Sequence, residues 1–286
     1  MIQRYFTIGS EWLYLKLYSG PKTIENILIT KIRPVLEFLL KEQYIDLFFF
    51  IRYMDPEYHI RLRIHFNDIS HIGFIISCLM KELGEYVNNN VISNIVVDTY
   101  KREIERYRER YIQDVERLFY IDSKYIINFL SNEENEVDKW LVSVKYIDLL
   151  LDMCDFKLND KIDFCTRIKS AFAEEIYSND KYIRKQLNQK YRDNTKLLRS
   201  ILSDDSCDKY SWARLLQDEL RHVDNFIQKI KKDDYFEKID ILSSIIHMHI
   251  NRLFRTKQRV IECVLYHFLS KYYESYKSLL KYNEQQ

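Results

Sequence analysis

The stretch Tyr58-His59-Ile60-Arg61-Leu62-Arg63-Ile64-His65-Phe66 alternates apolar and polar residues from end to end. An extended chain sends successive side chains to opposite faces, so this segment is predicted as a strand. His59, Arg61, Arg63 and His65 share one face, and Tyr58, Ile60, Leu62, Ile64 and Phe66 share the other. Reading outward, Asp55-Pro56-Glu57 is a turn and Ile45–Tyr53 (IDLFFFIRY) reads as a buried strand. Glu11–Tyr18 alternates in the same way, and Gly20-Pro21 turns the chain into a helix over Thr23–Lys41, with Pro34 expected to kink it or shift its start. A second helix over Ile69–Leu83 is expected to end near Gly84, and Val91–Tyr100 reads as a fourth strand. The order β-α-β-β-α-β predicts a ferredoxin-like arrangement over residues 1–100.

The rest of the chain reads differently. There are only 4 glycines and 3 prolines, and neither residue occurs from Glu85 to Gln286. A β-rich or loop-rich region of that size needs residues for positive φ and rigid turns. Helices are therefore expected near 101–120, 136–153, 160–176, 180–202, 211–231, 236–254 and 257–281, with polar connections such as Ser131–Asn135 and Ser203–Cys207. The predicted class is α+β: a sheet subdomain at 1–100 and a helical subdomain at 101–286, packed as one compact unit. Glycine-dependent phosphate sites are excluded from the helical part.

The 44 basic and 43 acidic residues leave a net charge of +1, which argues against nucleic acid or an anionic membrane as a default partner. No apolar run reaches about 18 residues, and the N-terminus lacks a sustained apolar core, so no span and no signal peptide are expected. Five cysteines, odd in number and without C-x-x-C, fit reduced thiols and a cytoplasmic location. No metal site is expected, because His247-x-His249 with Cys263 lacks zinc spacing.

Three patches carry candidate chemistry. Arg61 and Arg63, about 7 Å apart at strand spacing, suit a carboxylate, although the same alternation suits a solvated sheet face. On a helix Glu103, Arg106 and Arg110 fall on one side, which fits either surface ion pairing or an arginine directed at a pocket beyond a strand end. In Ser243–Arg252, His249 shares a stripe with Leu242, Ile245 and Ile246 and reads as a core histidine. His247 falls with Asp240, Ser243, Ser244 and Asn251 on a polar face and is the better general acid/base candidate.

Together, Phe49–Phe66, Asp98–Ser123 (DTYKREIERYRERYIQDVERLFYIDS) and His247–Phe254 (HMHINRLF) resemble the C-terminal, glutamate-eliminating domain of lantibiotic dehydratases, which also occurs alone in thiopeptide-type bacteriocin biosynthesis. The resemblance implies maturation of a ribosomally made precursor peptide with a leader, in which glutamate is eliminated from glutamylated Ser or Thr to leave a dehydroamino acid. It implies His247 as acid/base, with Arg61, Arg63 and Arg106 binding carboxylate and enolate, Glu103 beside them, and Asn251 and Arg252 among the substrate-binding residues. No cofactor is expected. The length leaves no room for a glutamylating domain, so a separate dehydratase subunit is the expected partner, with no direct tRNA contact. The partner set also admits a homodimer.

Eliminases of the family commonly read R-Y-G-G where this chain reads Arg106-Tyr107-Arg108-Glu109, so an unbroken helix and a reshaped pocket are expected. Two alternatives stay open. The same fold hosts thiopeptide pyridine synthases, which join two dehydroalanines by a formal [4+2] cycloaddition and expel the leader. A non-catalytic subunit could instead take a leader peptide on Val91–Asp98 by strand addition.

Overall fold

Pro34 decides the first irregularity of the chain. Without an N–H it cannot close an ordinary helical turn, and the preceding turn widens: Leu28–Ile32 is a π-helical segment in which the Arg33 N–H reaches back to the Leu28 carbonyl. In the computed structural model, which describes residues 2–132, 136–176, 181–203 and 205–284, the chain forms two units: residues 1–134 with 251–256, and residues 135–250 with 257–286. The expected connections at Ser131–Asn135 and Ser203–Cys207 lie partly outside the described residues.

The first unit contains β1 (Tyr5–Phe6), β2 (Trp12–Tyr18), α1 (Pro21–Ile27), the π segment, α2 (Arg33–Lys41), β3 (Leu47–Met54), β4 (Tyr58–His65), α3 (Ile72–Asn88), β5 (Asn94–Val97), β6 (Tyr100–Lys101), α4 (Ile104–Tyr107) and α5 (Ile112–Asn132). Four strands form an antiparallel sheet in the order β3-β4-β2-β5, and β1 pairs with β6. The register sets Tyr14 beside Arg63 and Arg63 beside Phe49; one row on, Lys16 lies beside Arg61. Leu13, Leu15, Leu17, Ile60, Leu62 and Ile64 are buried, as are Ile24, Ile27, Leu36, Leu39, Ile75 and Leu79 of the helices. By period two they form the apolar side of the sheet.

The α+β class holds. Several boundaries differ from expectation. The second helix runs through Gly84 to Asn88, since a single glycine costs a helix only about 1 kcal/mol. Val91–Tyr100 yields a shorter β5 and a separate β6. The unbroken helix expected past Tyr107 does not form: Arg108 takes φ 61°, ψ 147° and ends α4 after four residues.

Edge strands expose backbone donors and acceptors, and β3 satisfies its own with side chains. The Phe50 N–H donates to Ser123 Oγ of α5 at 3.3 Å, and the Phe50 carbonyl accepts from Arg252 Nε at 2.9 Å. The Arg52 N–H and carbonyl are both held by the Asn251 amide, at 2.8 and 2.9 Å.

The second unit is helical throughout its described residues: α6 (Glu136–Met153), α7 (Leu158–Ile176), α8 (Lys181–Ile201), α9 (Ser206–Lys209), α10 (Ser211–Leu220), α11 (Asp224–Ile230), α12 (Tyr235–Leu253, whose last three residues count with the first unit) and α13 (Gln258–Asn283). The single helix expected at 211–231 is interrupted by a 3-10 turn at Arg221–Val223. Helix α13 packs along α7, and Ile147, Leu150, Phe164, Leu198, Ile246, Tyr266 and Leu269 are among its unit's fully buried residues. Among the described residues no helix is long and apolar enough to cross a membrane.

Candidate active site

The polar face of β4 is not a solvated surface. Arg63 is 7% exposed, and its guanidinium lies over Tyr14, Phe49 and Tyr100 at 4.7, 5.2 and 4.8 Å from the ring centres. Its Nε has no hydrogen-bond partner among the described residues, so this cation is enclosed by aromatic faces and not by a carboxylate. Arg61 is half-buried, with its guanidinium 3.4 Å from the Tyr53 ring centre. Its Nε donates to His59 Nε2 at 3.1 Å, so the His59 proton sits on Nδ1, which donates to the Glu57 carbonyl at 2.8 Å. Burial pushes the His59 imidazole below its ordinary value, and Arg61 and Lys16 add to the shift. Burial raises the Tyr14 phenol against the pull of Arg63, Arg61 and Lys16, which keeps it a neutral donor between the two arginines.

Glu103 precedes the short α4, Arg106 lies within it, and the two face each other at 3.4 Å, both about half exposed. Directly after Arg106 the chain turns inward at Tyr107, which is buried and packs edge-on against Phe119. Burial pushes its phenol up to about 12, Glu103 adds to this, and Arg106 and Arg252 oppose it. Phe119 also touches Phe49 and lies under the Arg252 guanidinium at 4.2 Å. The aromatic bridge Phe49–Phe119–Tyr107 therefore connects Arg63, Arg252 and the Glu103–Arg106 pair. Arg252 itself is fully buried and pairs with Asp122 at 2.9 Å. Asn251 is committed to the Arg52 backbone.

His247 lies in the second unit. Its Nδ1 is 2.8 Å from Oε2 of Glu262, a carboxylate 2% exposed on α13. An ionised carboxylate only accepts, so Nδ1 carries a proton, and in the neutral imidazole Nε2 is left with its lone pair, on a ring 28% exposed. This is the arrangement of an imidazole oriented for proton transfer. His249 is fully buried, with its ring stacked on Tyr146 at 3.8 Å.

Sequence reasoning missed the groups that hold these residues. Glu116 receives both Nε and Nη2 of Arg102 at 2.7 Å and the Tyr100 hydroxyl at 2.7 Å, which fixes one wall of the Arg63 enclosure. Glu25 accepts from Arg52 at 2.5 Å and from Arg255 at 2.6 Å. A usable signal existed: Glu25, Glu116 and Glu262 are acids on otherwise apolar helical stripes, where an acid persists only when paired.

Comparison with known proteins places this geometry in context. A family model described as lantibiotic biosynthesis dehydratase C-term matches residues 12–273. The nisin biosynthesis protein NisB of Lactococcus lactis subsp. lactis is 29% identical over 267 residues, covering 88% of this chain and 25% of NisB. The chain thus spans about a quarter of the length of the relatives it matches. The tRNA-dependent lantibiotic dehydratase MibB of Microbispora sp. 107891 superposes with a TM-score of 0.67 at 17% identity, over 94% of this chain and 28% of MibB. The pyridine synthase TbtD from thiomuracin biosynthesis superposes with a TM-score of 0.67 at 10% identity, over 93% of this chain and 99% of TbtD. These two likenesses speak to the fold alone.

Proposed function

The chain belongs to the lantibiotic biosynthesis dehydratase C-terminal family, and from that premise we propose that it eliminates glutamate from glutamylated Ser or Thr of a precursor peptide. The observation that carries the reading is the His247–Glu262 pair, a partly exposed imidazole oriented by a buried carboxylate. In the proposed step Nε2 of His247 takes the α-proton, the Cβ–O bond breaks, and glutamate departs with the electron pair on its carboxylate. A Cα=Cβ double bond remains. In the first unit, Arg106 and the Arg61–Arg63 face are assigned the binding of carboxylates, which suit planar guanidinium groups. Glu103 is assigned the positioning of Arg106. Asn251 and Arg252, expected as substrate contacts, are assigned to holding the edge of β3.

Arg108 supports elimination over the alternative. Eliminases carry glycine there, and this chain keeps a glycine-type backbone without the glycine. The four-stranded sheet is read as ferredoxin-like, a reading supported by its order β3-β4-β2-β5. The reading also takes a leader-bearing precursor and a separate glutamylating subunit as partners.

The test is incubation of the purified chain with a synthetic glutamylated peptide, followed by mass spectrometry. Loss of one glutamic acid per site is the expected result, and a His247→Ala protein that still performs it overturns the role of His247. Macrocycle formation with release of leader from a dehydroalanine peptide would establish pyridine synthesis instead. Binding with no mass change would leave a leader-binding subunit, with the edge strand β5 as its docking strand.

A further inference from the structure

The second unit encloses a cavity of about 730 Å³ that shares no lining residue with the His247–Glu262 pair. It lies among α6, α7, the C-terminal end of α8, and α13. That size suits a small organic ligand. One wall is a fixed charge network. Lys161 is held by Asp148 at 2.6 Å and Asp152 at 2.8 Å, and the Tyr273 hydroxyl donates to the same Asp148 oxygen at 2.7 Å. Asp155, also in the lining, is paired with Lys231 at 3.2 Å.

The remaining cations make no direct contact with a carboxylate, although Lys145 lies close enough to Asp152 to favour its charged form. Lys145 is 6% exposed, lines the cavity, and makes no hydrogen bond or ion pair with any described residue. Arg199 and Lys157, at the exposed side of the same cavity, likewise have no side-chain partner among the described residues. An ammonium withdrawn from water without a hydrogen-bonded counterion is costly, and proteins keep such a group where something else supplies the charge. Beside them stands a tyrosine wall, Tyr272 and Tyr276, stacked at 3° with ring centres 6.2 Å apart. Burial pushes the Tyr272 phenol up to about 12, so it is a neutral hydrogen-bond donor.

We propose that this cavity is a binding site for a small anion carrying a carboxylate or phosphate group, held by Lys145 from within and by Arg199 at the mouth. Two cations at different depths would grip such a group with charge-assisted hydrogen bonds, and the tyrosine wall offers a surface to any flat ring attached to it. The proposal does not depend on the reaction assigned to His247.

Calorimetric titration of the full chain with L-glutamate, inorganic phosphate and adenosine monophosphate tests it. At least one probe is expected to bind saturably at one site and to weaken as salt is raised. Which probe binds most tightly assigns the source: amino acid, free oxyanion or nucleotide. Its Kd is expected to rise at least ten-fold in Arg199→Gln, an exposed position whose substitution leaves the fold intact, and again in Lys145→Met. Saturable binding by none of the three, or binding unchanged in both variants, overturns the proposal.

Discussion

Nδ1 of His247 and Oε2 of Glu262 stand 2.8 Å apart, a partly exposed imidazole anchored to a carboxylate buried at the start of α13. The carboxylate selects the tautomer and the ring orientation, so its effect on chemistry passes through His247. His247→Ala is expected to lower kcat for glutamate elimination by about 10²–10⁴-fold, and to lower thermal stability as well, because it leaves the Glu262 carboxylate buried without its partner. Glu262→Gln keeps the shape but no longer dictates which nitrogen carries the proton. It is expected to lower kcat by roughly 10- to 100-fold with KM nearly unchanged, and Glu262→Asp to recover part of the loss. Steady-state kinetics on a glutamylated peptide separates these outcomes, and a pure KM effect would deny Glu262 a positioning role.

Arg63→Met tests the aromatic enclosure. An unbranched apolar side chain fills the space between Tyr14, Phe49 and Tyr100, so stability is expected to stay within about 1 kcal/mol. A charge-assisted contact to a carboxylate is worth about 1.5–3 kcal/mol, so kcat/KM is expected to fall by roughly ten-fold or more. Full activity in a stable Arg63→Met protein would make Arg63 purely structural.

Arg108 sits at φ 61°, ψ 147°, a backbone region that costs a residue with a Cβ about 1–3 kcal/mol. Arg108→Gly relieves that cost and gives back part of it as chain entropy, for a net gain of about 1 kcal/mol. Urea denaturation reads the gain directly, and a destabilised Arg108→Gly would show that the arginine side chain contributes more than its backbone loses.

His267 is 5% exposed, and burial pushes its imidazole from its ordinary 6.5 down to about 4, with Lys169 and Lys271 adding to the shift. The unfolded chain therefore binds this proton at a higher pH than the folded one. The stability due to neutral His267 is complete above pH 6.5 and declines as pH falls towards 4, by up to a few kcal/mol. His267→Phe removes the titration while keeping an aromatic ring in place. Unfolding free energies measured from pH 7 to 4.5 should fall less steeply for the variant, and parallel curves would contradict the assignment.

Asn251→Ala removes two hydrogen bonds and strands the Arg52 N–H and carbonyl at the edge of β3, a loss of about 2–3 kcal/mol. Unchanged stability with a raised KM would instead make Asn251 a substrate contact.

Much of this was legible in the primary structure, because it follows from local rules. The alternation over Tyr58–Phe66 set a strand and put Arg61 and Arg63 on one face, since side-chain direction along a strand depends only on position. The scarcity of glycine and proline after Gly84 set the helical second half, and the 3.6-residue period separated buried His249 from partly exposed His247. What lay beyond reach were relationships between residues far apart in the chain. That His247 answers to Glu262, that Tyr100 and Phe49 close around Arg63, and that Asn251 and Arg252 seal the edge of β3 are facts of packing. Arg108 makes the same point in the backbone: the missing glycines argued for a continuous helix, and tertiary packing of Tyr107 against Phe119 accompanies a break there instead. Sequence by itself determined the class of the elements and the facing of their side chains, which are properties of short segments. Only the tertiary structure decided which charge meets which partner, because desolvation and hydrogen bonding act between groups that packing, and not proximity along the chain, brings together.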